Sequence, residues 1–351
     1  MIARPTVPMT TPPDTLLVYR LGSLGDTIVA LPCLHKIAQT YPNAKRLLLT
    51  NIPVSTKAAP AQSIVGPSGL IHGFLSYPVG IRSASALWQL SKQIRALKVD
   101  MMIYLMPARG RLNAFRDWIF FRLCGIRKIV GLPTTVDLQN NRIDPETGFQ
   151  ERECERLART LSALGSIDLA KAASWDLLLT EHELKIGDRT ISKLNHPFIT
   201  INMGGKVLEN DWGAERWREL IERLSGLYEN HGLLIVGAAE DAERAKLVAC
   251  NWRGSTVNAC GKLMPRETAA AMRSATLFIG HDSGPLHLAA AMGVPCLGLF
   301  SAHNRPAKWH PYGQQHRSIH SMSGISAIGV DEVVQAVVSM MSARVLNEHR
   351  A

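Results

Sequence analysis

Short apolar runs alternate with longer stretches of helical period along most of this chain. The runs 15–19, 46–50, 101–105, 198–202, 232–236, 276–280 and 295–300 read as buried strands. Between them, Thr27–Tyr41, Ala84–Leu97, Ala214–Tyr228, Glu240–Asn251 and Pro265–Ser274 place apolar residues at helical spacing. Such alternation predicts an α/β protein built on parallel sheets. The rhythm fails over 131–150 (GLPTTVDLQNNRIDPETGFQ), a polar stretch. Glu151–Gly165 is helix-like again, Leu177–Lys193 is mixed, and a fresh strand opens at Phe198. Two α/β halves are therefore expected to meet near 170–180, as domains over 1–175 and 176–328. The last periodic stretch, Val330–Val345, is a helix whose packing partner the pattern does not specify.

A length of 351 residues agrees with two domains, and 46% hydrophobic residues is enough for two cores. No run reaches the roughly 18 uncharged apolar residues of a membrane helix, and the opening MIARPTVPMTTPPD lacks the apolar core of a signal peptide. A cytoplasmic location is the expectation. Six scattered cysteines without a CxxC pair read as small buried hydrophobes, not as a metal site or a disulfide frame.

Charge adds a partner class. The formal net charge is +10, which favours an anionic partner. Ten basic residues stand between 82 and 128 against only Asp100 and Asp117. Solvated helix faces, an anionic lipid surface and a phosphorylated substrate all fit this cluster. Nucleic acid fits least, since no zinc finger or RNP motif is present and aromatics make up 6%.

Four stretches carry candidate chemistry. In YRLGSLGDTIVALP (19–32), a strand feeds a glycine turn and then a helix, with Asp26 where a pyrophosphate would be met if this were a dinucleotide site. The spacing is not GxGxxG. Asp26 reads either as a helix cap or as a reactive carboxylate. In GHDSGPLHLAAAMGVPCLGLF (280–300), Asp282-Ser283-Gly284 opens a helix after a strand, with Pro285 in its first turn. Unpaired N–H groups and the positive helix end make this a good diphosphate cradle. His281 and His287 are spaced for no common helical face, so no metal is expected. In INMGGKVLENDWGAERW (201–217), Lys206 beside Gly204-Gly205 could reach an anion, or be an ordinary surface lysine. In VGAAEDAERAKLV (236–248), Glu240 and Asp241 either favour a helix dipole or accept from ribose hydroxyls.

Taken in order, SLGD (23–26), WGAERWREL (212–220), GAAEDAERAK (237–246) and DSGPLH (282–287), followed by GVP, resemble the family 9 glycosyltransferases. The resemblance is stronger in the C-terminal half. It implies a GT-B fold, with two Rossmann-like domains facing across a cleft and a C-terminal helix (329–351) returning to the first domain. It also implies inverting, metal-independent transfer from a nucleotide sugar with no cofactor. Asp26 then stands where the family places its general base. Gly25, Gly205, Lys206, Asp241, Leu263, Asp282, Ser283, Gly284, Pro285 and His287 match donor-binding positions, with a lean toward an ADP-sugar. The family's lysine two residues before the tryptophan is Asn210 here, which makes Lys206 the expected phosphate contact. Arg109 and Arg111, in MPARGR after the strand 101–105, are the expected contacts to an anionic glycan or glycolipid acceptor such as lipopolysaccharide core. That acceptor implies peripheral association with the cytoplasmic face of an inner membrane. An epimerase and a non-catalytic sugar-nucleotide binder on the same architecture remain the alternatives. An NAD oxidoreductase is disfavoured, because no suitable acid follows the first turn.

Overall fold

The computed structural model describes residues 12–52, 59–80, 83–205 and 208–348. The chain divides into two compact units, Met1–Trp175 and Asp176–Ala351.

The first unit runs β1 (Thr15–Tyr19), α1 (Leu24–Val29), α2 (Leu31–Thr40), β2 (Lys45–Ile52), α3 (Gln62–Val65), β3 (Gly73–Pro78), α4 (Ala84–Ala96), β4 (Met101–Tyr104), α5 (Arg111–Leu123), β5 (Lys128–Val130), α6 (Val136–Gln139) and α7 (Glu153–Thr160). Its strands form one parallel sheet in the order β3-β2-β1-β4-β5. Leu16, Leu17, Val18, Met101, Met102 and Ile103 are all buried, so the central strands read as unbroken apolar runs. The single helix expected over Thr27–Tyr41 is two. The break falls at Ala30 (φ −92°, ψ −5°), two residues before Pro32, whose missing N–H cannot continue the ladder.

The second unit runs α8 (Glu181–Ile191), β6 (Phe198–Asn202), α9 (Ala214–Leu227), β7 (Gly232–Ile235), α10 (Ala242–Ala249), β8 (Thr256–Asn258), α11 (Pro265–Met272), β9 (Leu277–His281), α12 (Gly284–Ala291), β10 (Cys296–Ser301), β11 (Arg317–Ser321) and α13 (Val330–Glu348). Its parallel sheet has the order β11-β10-β9-β6-β7-β8. Trp217, Leu220 and Leu224 of α9 share a core with Val333, Ala336 and Val337 of α13. The helix expected to return to the first domain thus buries the apolar stripe of its early turns in the second unit. Arg223 pairs with Asp331 at 2.6 Å, and Arg344 Nη1 donates to the Thr276 carbonyl at 2.9 Å.

Cys250 departs from the expectation of burial. It is the exposed C-cap of α10, whose inward positions are Ala245 and Val248, whereas the other five cysteines are buried.

Candidate functional site

Each sheet is wound outward from its middle. In the first unit the chain leaves β1 to one side through β2 and β3, then crosses to β4 and β5 on the other. The strand order therefore reverses between β1 and β4, and the crevice beyond their carboxyl ends is where open α/β sheets hold ligands. The loops there are the Gly22–Asp26 turn and the 105–110 segment that carries Arg109. In the second unit the reversal lies between β6 and β9, followed by Gly204-Gly205 and by Asp282–Pro285.

The first turn is built around Asp26. Ser23 is the N-cap of α1 and Asp26 the third helical residue, so SLGD is a capping box with an aspartate in the usual glutamate place. Asp26 Oδ2 accepts from Ser23 N at 2.8 Å and from Ser23 Oγ at 3.0 Å. Its Oδ1 takes part in no hydrogen bond among the described residues. Gly22, at φ +129°, leaves the room: a Cβ there would come within 2.7 Å of Oδ2 and collide with the rest of the side chain. Gly25 occupies the second position of α1, half-buried.

Arg20 fixes this turn to its neighbour. It is buried, and its guanidinium donates from Nη2 to the Asp26 carbonyl at 2.7 Å and from Nη1 to the Leu105 carbonyl at 3.0 Å. One side chain thus ties the turn after β1 to the loop after β4.

Arg109 and Arg111 part company. The Arg109 guanidinium, about a third exposed, lies 3.6 Å from Asp117, a buried acid that accepts from Tyr104 Oη at 2.9 Å. Tyr19 and Tyr77 share a hydrogen bond of 2.9 Å between their hydroxyls. Burial first, with the Asp117 charge behind it for Tyr19 and Tyr104, raises all three phenols, which therefore stay protonated. Arg111 stands at the start of α5 and is exposed. Sequence reasoning named neither Arg20 nor the tyrosines. Tyr77 lies in a strand without a clear apolar pattern.

In the second unit, Ser283 is the N-cap of α12 and Pro285 sits in its first turn, which leaves the Gly284 and Leu286 N–H groups without helical partners. Ser283 Oγ donates to Asn202 Oδ1 at 2.9 Å, and Asn202 Nδ2 donates to the Val236 carbonyl at 2.9 Å. Buried Asn202 thereby links the ends of β6, β7 and β9. Asp282 Oδ2 accepts from Asn304 Nδ2 at 2.7 Å, and His287 is buried within α12.

Asp241 Oδ2 accepts from the Ala238 N–H at 2.9 Å. A Cβ on Gly204 would stand 2.7 Å from the Asp241 Cγ, and one on Gly237 would stand 2.6 Å from its Oδ2. The glycines after β6 and β7 thus let this carboxylate close on both loops. Gly205 is exposed, with open space where a Cβ would be. Leu263 is half-buried in the loop after β8, which is joined to the β7 loop by the Gly261 N–H donating to the Gly237 carbonyl at 3.0 Å.

Lys206 lies outside the described residues. Asn210 is buried and accepts from Ser301 Oγ, so it is a structural link between loops. His281 is buried, and its Nε2 accepts from the Trp212 N–H at 3.3 Å. Burial holds this imidazole down at about 4, hence neutral at ordinary pH. Among the described residues, no group of three His, Cys, Asp or Glu side chains is placed to hold a metal ion.

Residues 87–327 match the family model of glycosyltransferase family 9 (heptosyltransferase). The lipopolysaccharide core heptosyltransferase OpsX of Haemophilus influenzae is 22% identical, over 86% of this chain and 82% of its own. Among solved structures, a family 9 glycosyl transferase from Veillonella parvula superposes with a TM-score of 0.68 at 21% identity, covering 94% of this chain and 97% of that one. An Escherichia coli heptosyltransferase with ADP-2-deoxy-2-fluoro heptose superposes at 0.65 with 18% identity, covering 93% and 99%. The fold is that of these GT-B enzymes.

Proposed function

Since the chain belongs to glycosyltransferase family 9, and is thus a glycosyltransferase, we propose that it moves a heptose from ADP-heptose onto an anionic glycan acceptor, with inversion. The observation that carries this reading is the state of Asp26: one carboxylate oxygen is locked by Ser23, and the other has no partner among the described residues. A carboxylate so held can take a proton without losing its position.

In the proposed step, Asp26 Oδ1 accepts the proton of an acceptor hydroxyl as that oxygen attacks the anomeric carbon. The bond from that carbon to the diphosphate oxygen breaks, and the electron pair leaves with the nucleoside diphosphate. Charge growing on the leaving group meets the N–H groups that open α12 and the ammonium of Lys206. Asp241 accepts from the ribose and the backbone at Leu263 meets the base. Arg109, held beside Asp117, contacts the anionic acceptor, and exposed Arg111 does not. The Escherichia coli heptosyltransferase solved with an ADP-heptose analogue supports the donor. The core activity in the name of the Haemophilus relative supports a lipopolysaccharide acceptor, and with it work at the cytoplasmic face of the inner membrane.

A thermal-shift screen of ADP-, UDP- and GDP-sugars tests the donor. Selective binding at about 100 times Kd stabilises the native state by about 2.7 kcal/mol, so ADP-heptose should raise the midpoint well above the others. Equal shifts for all, or none for ADP-heptose, would refute this donor.

A further inference from the structure

We propose that the outward face of α5 docks the protein onto an anionic lipid bilayer surface. This builds on the reading of a membrane-borne acceptor and names the surface which that reading leaves open.

Helix α5 is apolar on two opposite sides. Inward, Ala114 and Phe121 are buried with Cys124 beyond them. Outward, Leu112 (86% exposed), Phe115 (59%), Ile119 (39%) and Leu123 (65%) follow one another at helical spacing along a single stripe. An apolar stripe on a helix ordinarily faces a core. Here the second stripe faces solvent, and a contiguous patch of this kind marks an interaction surface.

The surroundings of the stripe select the partner. Arg111, Arg116 and Arg122 flank it on the same helix, whose single acid, Asp117, is turned inward and paired. The Arg122 guanidinium lies 5.9 Å from the centre of the Trp118 ring. Helix α4 lies alongside, with Arg95 Nη2 donating to the Leu123 carbonyl at 2.5 Å. It adds the exposed Trp88, with Lys92 Nζ 4.2 Å from its ring centre. A second copy of this chain, meeting the face about a two-fold axis, would bring one arginine-flanked face against another, cations toward cations. An anionic bilayer meets both halves of the pattern: head groups take the guanidinium and ammonium charges, the acyl boundary takes the leucines and Phe115, and tryptophans sit between. Among the described residues no helix is long and apolar enough to cross a membrane, so the contact proposed is one of lying on the surface.

The test is flotation of the full chain with vesicles of phosphatidylcholine alone and of phosphatidylcholine mixed with phosphatidylglycerol. The wild-type protein should float with the mixed vesicles only, and less at high salt. Leu112→Ser with Phe115→Ser should cut binding about tenfold or more, with the thermal midpoint unchanged because these side chains are exposed, and Arg122→Glu should cut it about fivefold or more. Absence of binding to mixed vesicles, or binding undiminished by the serine pair, overturns the proposal. So does self-association in vesicle-free solution that the serine pair abolishes while flotation persists unchanged. Transfer to a delipidated, soluble acceptor fragment separates the two readings. Failure of that transfer with flotation intact strikes the proposed reaction alone, and the reverse outcome strikes the docking surface alone.

Discussion

Asp26→Asn separates the two roles that the carboxylate could fill. The side-chain amide keeps an oxygen where Oδ2 now accepts from Ser23 N at 2.8 Å and from its hydroxyl at 3.0 Å. The cap should therefore survive at a cost of at most about 1 kcal/mol, or about 2–4 °C in the midpoint of a unit of this size. The amide cannot accept the acceptor's proton. Turnover should fall by roughly 10²–10⁴, equivalent to about 3–5 kcal/mol on the barrier. Donor affinity, set in the second unit, should stay within about twofold. The assay is release of nucleoside diphosphate under saturating substrates, with calorimetry for donor binding and a thermal scan for stability. Retention of more than half the wild-type rate, together with a lowered midpoint, would mean that Asp26 is a cap and nothing more.

Arg109→Ala should raise the acceptor KM about tenfold, as removal of a partly buried charged contact does, whereas Arg111→Ala should change it less than about twofold; steady-state kinetics that rank them the other way would move the acceptor contact to the start of α5. Gly204→Ala drives a methyl group against the Asp241 carboxylate and should weaken donor binding by about tenfold, read by calorimetry on protein whose thermal midpoint shows it folded. His281 should make stability fall with acid: its imidazole titrates at about 4 when folded, against an ordinary value of 6.5, so the unfolded chain takes up the proton first. Full stability holds above about pH 6.5 and roughly 3 kcal/mol is lost by about pH 4; denaturant titrations across this window should show His281→Asn losing less than the wild type, and equal losses would exclude the histidine as the cause. Lys206→Ala should weaken nucleoside diphosphate binding, while Asn210→Ala, which removes the acceptor for the Ser301 hydroxyl, should instead lower the thermal midpoint; the opposite pattern would return the phosphate role to Asn210.

The strands that were legible in the sequence are the interior ones. β1, β4, β6, β9 and β10 are covered on both faces, so each is a plain apolar run. The four that gave no such run, β3, β5, β8 and β11, are the edges of the two sheets. Their sequences GFLSYP, KIV, TVN and RSIHS mix exposed with buried positions because only part of each is covered. Helix α5 shows no single apolar stripe, having two. Of the candidate site, Asp26, Ser283 and Asp241 were visible because each follows a strong strand and opens a helix. Arg20, Tyr77 and Asn202 were not, since their contacts reach 85, 58 and 81 residues along the chain. No local pattern carries contacts of that range. The placing of α13 was unreadable for the same reason: its valines fit any apolar groove, and the one they fill is lined by α9.

That groove has a consequence for how the protein is made. Every element of the first unit has left the ribosome before the second is complete, so this half can fold while the other is still being synthesised. The second half has no such freedom. The Trp212 indole waits for the carbonyl of Ile328, and the apolar side of α9 waits for Val333 and Val337. Until α13 emerges, the nascent second half carries an open seam, and a message cut short just before it would deliver one finished domain joined to an adhesive, unfinished one.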